Sequence, residues 1–177
     1  MIRPLFASVF AVAFTMPGCP KNEAPVAPPM SAGPRIGKLA PEIVSVDLEG
    51  QPIKLSDFRG KVVALSYWGN WCHVCRELFP HEKELVEKFR EQPFVLLGVN
   101  GDDSIEAGKR AQDKNQLTWR SFFVGDPSGP IPKQWGVSAW PTTFILDARG
   151  VVRFRFEGRQ PQAVERAVSQ LLREKVS

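Results

Sequence analysis

Only two histidines, His73 and His81, and three cysteines occur among the 177 residues. A structural zinc site commonly takes four Cys or His ligands, so a metal-organised fold has almost no material here. His81 lies six residues beyond Cys75 and reads as an ordinary exposed side chain. Blocks of like charge are missing too: the 23 Lys and Arg are interleaved with 19 Asp and Glu, and the formal charge of +4 is dispersed. That distribution describes a solvated surface and argues against a nucleic-acid partner. There is no internal repeat. With 43% hydrophobic residues the chain can bury one ordinary core, so a single globular domain is expected.

Residues 1–16, "MIRPLFASVFAVAFTM", place one Arg ahead of a short apolar run. The run is shorter than the roughly 20 residues of a spanning helix and has the form of a cleaved secretory signal. It closes on "MPGC", which resembles the bacterial lipoprotein signal, with Cys19 as the acylated first residue of the mature chain. Met16 and Pro17 depart from the commoner choices at their positions, and a plain cleaved signal is the alternative. "PKNEAPVAPPMSAGPRIGK" is rich in Pro and Ala and lacks apolar periodicity, as suits an extended tether. The expected organisation is a signal over 1–18, a tether over 19–38 and a folded domain over 39–177.

Within that domain, "IVSVDLEGQPIKL" alternates about a Glu-Gly turn and predicts a short strand pair. "KVVALSYW" predicts a buried strand, and "PFVLLGVN" a central parallel one. Between them, Cys75, Leu78, Phe79, Leu85, Val86 and Phe89 recur at helical spacing, with Pro80 inside the helix as an expected kink. "DDSIEAGKRAQDKNQ" reads as a solvent-facing helix capped by Asp or Ser, which also accounts for Asp102 and Asp103. "SFFV" is a further short strand, and "GDPSGP" a loop. "TTFILD", the turn "ARG" and "VVRFRFEG" form a hairpin, with Val152, Phe154 and Phe156 sharing one face. A last helix carries Val164, Ala167, Val168, Leu171 and Leu172 on one stripe. Trp68 and Trp135 are assigned to the core.

The chemistry is concentrated in "YWGNWCHVCRELFP", residues 67–80. Cys72 falls where a strand gives way to a helix, beside backbone N–H groups that lack partners within the helix and favour an anion. A thiolate is the nucleophile of disulfide exchange and is favoured at helix amino termini and in Cys-X-X-Cys pairs, so Cys72 is the expected attacking residue. Cys75, about one turn on, is placed to resolve the mixed disulfide. The same spacing also serves as half of a zinc site, although the chain offers few further ligands. His73 stands between the sulfurs, either as a partial cation that favours the thiolate or as a plain solvent-facing imidazole. Trp71 is either an aromatic wall of the site or simple packing.

These residues resemble the thioredoxin superfamily, and within it the membrane-tethered, extracytoplasmic thiol-disulfide oxidoreductases of the ResA/TlpA type, related to AhpC/TSA proteins. The resemblance runs from about Gly37 to Lys175 and rests on "GKLAPEI", "LSDFRGKVVALSYWGNWCHVCRELFP", "LLGVN" and "WGVSAWPTTFILDARGVV". It implies an α/β, thioredoxin-like fold: a central mixed β-sheet flanked by helices, with an N-terminal β-hairpin extension and a strand-helix insertion. It also implies a cis bond before Pro141, across from the cysteines, with the Trp140 backbone pairing an extended client segment.

Several positions depart from the family. The buried acid that thioredoxins carry six residues before the first cysteine is Ser66, and the acid common in this branch three residues after the second is Leu78. Glu77 is rotated by about 100 degrees from that second position and reads as a surface charge. Val74 replaces a frequent proline, and Trp140 is bulkier than usual before the cis-proline.

The expected activity is thiol-disulfide exchange on extracytoplasmic proteins through Cys72 and Cys75, without metal or organic cofactor, in a lipid-anchored monomer. The resemblance implies a membrane thiol donor as electron source, and a heme-binding apoprotein in cytochrome c maturation is one candidate client. An oxidase or isomerase shares all these residues. A peroxidase of the peroxiredoxin branch lacks its Pro-Thr-Cys pocket here, and a redox-inert binding module is the remaining alternative. Pro20 rather than Asp after Cys19 tilts weakly toward the outer membrane, with inner and outer both open.

Overall fold

The computed structural model describes residues 33–174; the signal, Cys19 and most of the tether lie outside the described residues. The fold is built on strand β3 (Val62–Trp68), buried at every position. Its side chains alternate: Val62, Ala64 and Trp68 enter one core layer, Val63, Leu65 and Tyr67 the other. Strand β4 (Phe94–Asn100) lies parallel to β3, and β5 (Ser121–Phe123) parallel to β4. On the other side β6 (Thr142–Leu146) and β7 (Val152–Glu157) run antiparallel, giving a five-stranded mixed sheet in the order β5-β4-β3-β6-β7.

One layer is covered by α1 (His73–Lys88), α2 (Ile105–Lys114) and α4 (Pro161–Arg173). The other is covered by the hairpin of β1 (Val44–Val46) and β2 (Pro52–Lys54), a 3-10 turn over Leu55–Phe58, and the short helix α3 (Pro130–Gln134). Ile43, Ile53 and Leu55 anchor the hairpin in the core. The N-terminal segment touches both edges of the large sheet, through isolated bridges Leu39 to Val151 beside β7 and Asp47 to Phe122 on β5.

The sheet, the hairpin extension and the inserted α2-β5 unit match the expected fold. The shared face expected of Val152, Phe154 and Phe156 needs correction. A register shift opposite Ile145 and Leu146 pairs Leu146 with Val152 but Ile145 with Phe154. This bulge breaks the alternation, so Val152 enters the hairpin-side layer while Phe154 and Phe156 pack against the α1 side. Helix α3 begins on Pro130, the last residue of the expected loop "GDPSGP", and runs over 131–134, where the sequence pattern assigns no element. Proline is compatible with a helix's first turn, where its missing N–H has no intrahelical partner, and Pro130 occupies that place. Pro80 lies inside α1 on its exposed side. Ser104, not Asp102 or Asp103, caps α2, its side chain accepting from the Ala107 N–H.

Candidate active site

Helix α1 starts at the C-terminal end of β3, and Cys72 is its N-cap residue in extended conformation. The Cys75 N–H donates to the Cys72 Sγ at 3.1 Å, so the sulfur occupies the place of a capping oxygen. The two sulfurs are bonded at 1.99 Å, with the Cα atoms 5.3 Å apart. Exposure distinguishes them: Cys72 is 6% exposed and Cys75 1%. A client reaches Cys72 more readily, and Cys75 lies one helical turn inward.

The loop before Cys72 is fixed from β4. The Asn70 N–H donates to Asp102 Oδ1 at 2.8 Å, and the Asn100 side-chain amide donates to Asp102 Oδ2 at 2.8 Å. The Gly101 N–H donates to the Trp68 carbonyl and the Trp71 indole N–H to the Gly101 carbonyl. Asn100 and Asp102 are both buried. Asp102 is thus a tie between two strand ends, with its carboxylate shared by the Asn70 backbone and the Asn100 side chain. Its position beyond a strand's C-terminal end, where α/β proteins place functional loops, was the only sequence signal for it.

The bond between Trp140 and Pro141 is cis. The Trp140 ring lies 5.3 Å from that of Trp71 and 5.8 Å, edge-on, from that of buried Tyr67. This places the 139–141 loop beside the cysteine loop and makes Trp71, 51% exposed, part of an aromatic wall. Gly101 permits the approach, because a Cβ there sits 2.8 Å from the Trp140 ring. Burial pushes the Tyr67 phenol well above its ordinary pKa, against the opposing charge of Arg155, so Tyr67 is a neutral support. His73 is exposed and pairs with Glu77 at 3.1 Å on the outer face of α1. Val74 is also exposed beside the cysteines.

A second feature lies deeper along α1. The Ser66 hydroxyl on β3 donates to Glu82 Oε1 at 2.6 Å. Burial raises the Glu82 carboxyl from its ordinary 4.5 to about 7, and the Ser66 hydrogen bond opposes the rise. Glu82 borders a cavity of about 350 Å³ between α1 and α4, whose wall also includes Leu78, Thr143 and Pro161. Sequence reasoning missed this residue although its spacing of seven from Cys75 places it on the inner face of α1, because its partner Ser66 comes from β3, sixteen residues earlier.

Comparison with known proteins agrees with this geometry. Residues 36–155 match the AhpC/TSA family. The thiol-disulfide oxidoreductase ResA of Bacillus thuringiensis subsp. konkukian is 37% identical over 125 residues, 71% of this chain and 71% of its own. Among solved structures, a thiol-disulfide oxidoreductase from Bacteroides fragilis is 26% identical with a TM-score of 0.70, covering 76% of this chain and 100% of that one. A secreted thiol-disulfide isomerase from Corynebacterium glutamicum is 28% identical with a TM-score of 0.68, covering 76% of this chain and 85% of that one. With a cysteine pair bonded at the start of a helix and an aromatic wall around it, the chain belongs to the AhpC/TSA family and is a protein thiol-disulfide oxidoreductase of thioredoxin-like fold.

Proposed function

We propose that the protein is an extracytoplasmic reductase, tethered to a membrane by a lipid on Cys19 and acting as a monomer. The observation that supports the chemistry most directly is the Cys72 sulfur at the amino terminus of α1, receiving the Cys75 N–H. In the reduced protein the same N–H and the unpaired amides of that first turn favour a Cys72 thiolate. The thiolate attacks one sulfur of a client disulfide and expels the other as a thiolate, leaving a mixed disulfide on Cys72. Cys75, deprotonated in turn, attacks the Cys72 sulfur, closes the intramolecular bond and releases the second client thiol. Two electrons pass to the client, and a membrane dithiol donor returns them. Trp71 and Trp140 hold an apolar client segment beside Cys72, with the Trp140 backbone pairing it as an added strand. The client class is an extracytoplasmic protein disulfide, with a heme-binding apoprotein in cytochrome c maturation as one member.

The direction of flow is tested by equilibrating the protein against glutathione buffers. A potential near the thioredoxin value of about −270 mV supports the reductase reading. A value near about −180 mV or higher overturns it in favour of isomerisation or oxidation. The tether is tested separately: Cys19→Ser should move the protein from the membrane fraction to the soluble fraction, and an unchanged distribution counts against lipidation.

A further inference from the structure

The resolving step requires that Cys75, 1% exposed, lose a proton. A buried thiol sheds it only to a nearby acceptor, because burial in apolar surroundings disfavours the anion. Cys75, Leu78, Phe79 and Glu82 recur at helical spacings of three, four and seven, so they share the inner face of α1. Seven residues span roughly 10.5 Å of axis, and helical side chains lean toward the amino terminus, so Glu82 projects back toward Cys75. Ser66 meets it from the sheet. It stands between Ala64 and Trp68 on β3, and those two residues belong to the same buried layer as Cys72 and Cys75. Trp68 also packs edge-on against Phe79, at 5.4 Å between ring centres, on the turn that follows Cys75.

We infer that Glu82, positioned by the Ser66 hydroxyl, is the proton acceptor that serves Cys75 when the mixed disulfide is resolved. The inference rests on the order of attack proposed above. The cavity beside Glu82 reaches Leu78, three residues from Cys75, without including Cys75 in its wall, so the Cys75 S–H gives its proton to the Glu82 carboxylate through water relayed past Leu78. The Cys75 thiolate then forms its bond to Cys72 as the Cys72-to-client bond breaks and the electron pair leaves on the client sulfur. The carboxylic acid returns the proton to that sulfur or to solvent. A base that ionises near neutrality is matched to this exchange, and the Glu82 carboxyl, at about 7, is so matched. The other charged groups around the cavity are His81, Glu84 and Lys88 on α1 and Glu165 on α4, where Lys88 and Glu165 pair with each other. Among the described residues, β3, β4 and β6 contribute Ala64, Leu96 and Thr143 to its wall.

Mixing the reduced protein with 5,5′-dithiobis(2-nitrobenzoate) separates the two steps, because each releases one coloured thiolate. The first release reports attack by Cys72, the second resolution by Cys75. In Glu82→Gln the first release should keep its rate, while the second slows about 100-fold at neutral pH and loses its ionisation near 7. In Ser66→Ala the acceptor loses the bond that lowers its pKa, so the midpoint of the second release should move to higher pH. A second release in Glu82→Gln that matches the parent in rate and pH profile overturns the inference. If Glu82→Gln does not fold, an unmoved midpoint in Ser66→Ala overturns it as well. A Cys72→Ser variant that still gives the fast first release overturns the order of attack itself, and this outcome is distinct from the other two.

Discussion

Cys72→Ser is expected to lower disulfide turnover by about 10³-fold or more, because it removes the sulfur that forms the covalent intermediate. Cys75→Ser should behave differently. The more accessible member of the pair still attacks, but nothing closes the ring, so the protein accumulates as a mixed disulfide with its client. The contrast follows from position: Cys72 caps α1 and is the more accessible sulfur, whereas Cys75 lies a turn inward in the core. Non-reducing electrophoresis of both variants with a disulfide-bonded substrate such as insulin checks the prediction. Trapping through Cys75 in the Cys72→Ser variant reverses the two roles.

The largest effect on stability is expected from Phe144→Ala. Phe144 is fully buried on β6 and joins two aromatic partners into one cluster. Its ring lies 4.9 Å from Trp135 and 5.9 Å from Tyr67, and the Arg155 guanidinium sits 5.4 Å above it. Removing the ring deletes these contacts and leaves a cavity that the surrounding strands cannot close, at a cost of about 3–5 kcal/mol. Denaturant unfolding should show a lower midpoint with an unchanged slope, and a loss below about 1 kcal/mol rejects the account. Because Tyr67 supports Trp140 from below, the variant should also lose turnover while it remains folded.

The core of the fold and the reacting pair were legible because local pattern and global structure agree there. "KVVALSYW" is β-branched and aromatic and forms the buried central strand, and the apolar spacing after Cys72 gives α1 its inner face. The aromatic environment was partly legible: Trp71 and Trp140 stood near the pair in the family pattern, and the structure brings their rings together. Features that depend on distant segments were not legible. A bulge sends Val152 and Phe154 to opposite layers, which strict alternation cannot anticipate. Asp102 read as a cap because Asp favours helix starts, yet Ser104 takes that place and Asp102 ties the cysteine loop. Ser66 and Leu78 read as the absence of an acid. Glu82 was overlooked because its carboxyl is brought to Ser66 from sixteen residues further along the chain.

The two bridges of the N-terminal segment, at Leu39 and Asp47, bear on solubility and on the order of assembly. An outer strand left bare is a template for pairing with another molecule, and here the same short stretch of chain blunts both flanks of the sheet. Made before both of its partners, it meets Phe122 and Val151 only after most of the domain has been synthesised, so this clasp closes late. A shortened domain that begins at β3 should therefore keep its cysteine pair yet self-associate, since both rims then lie open.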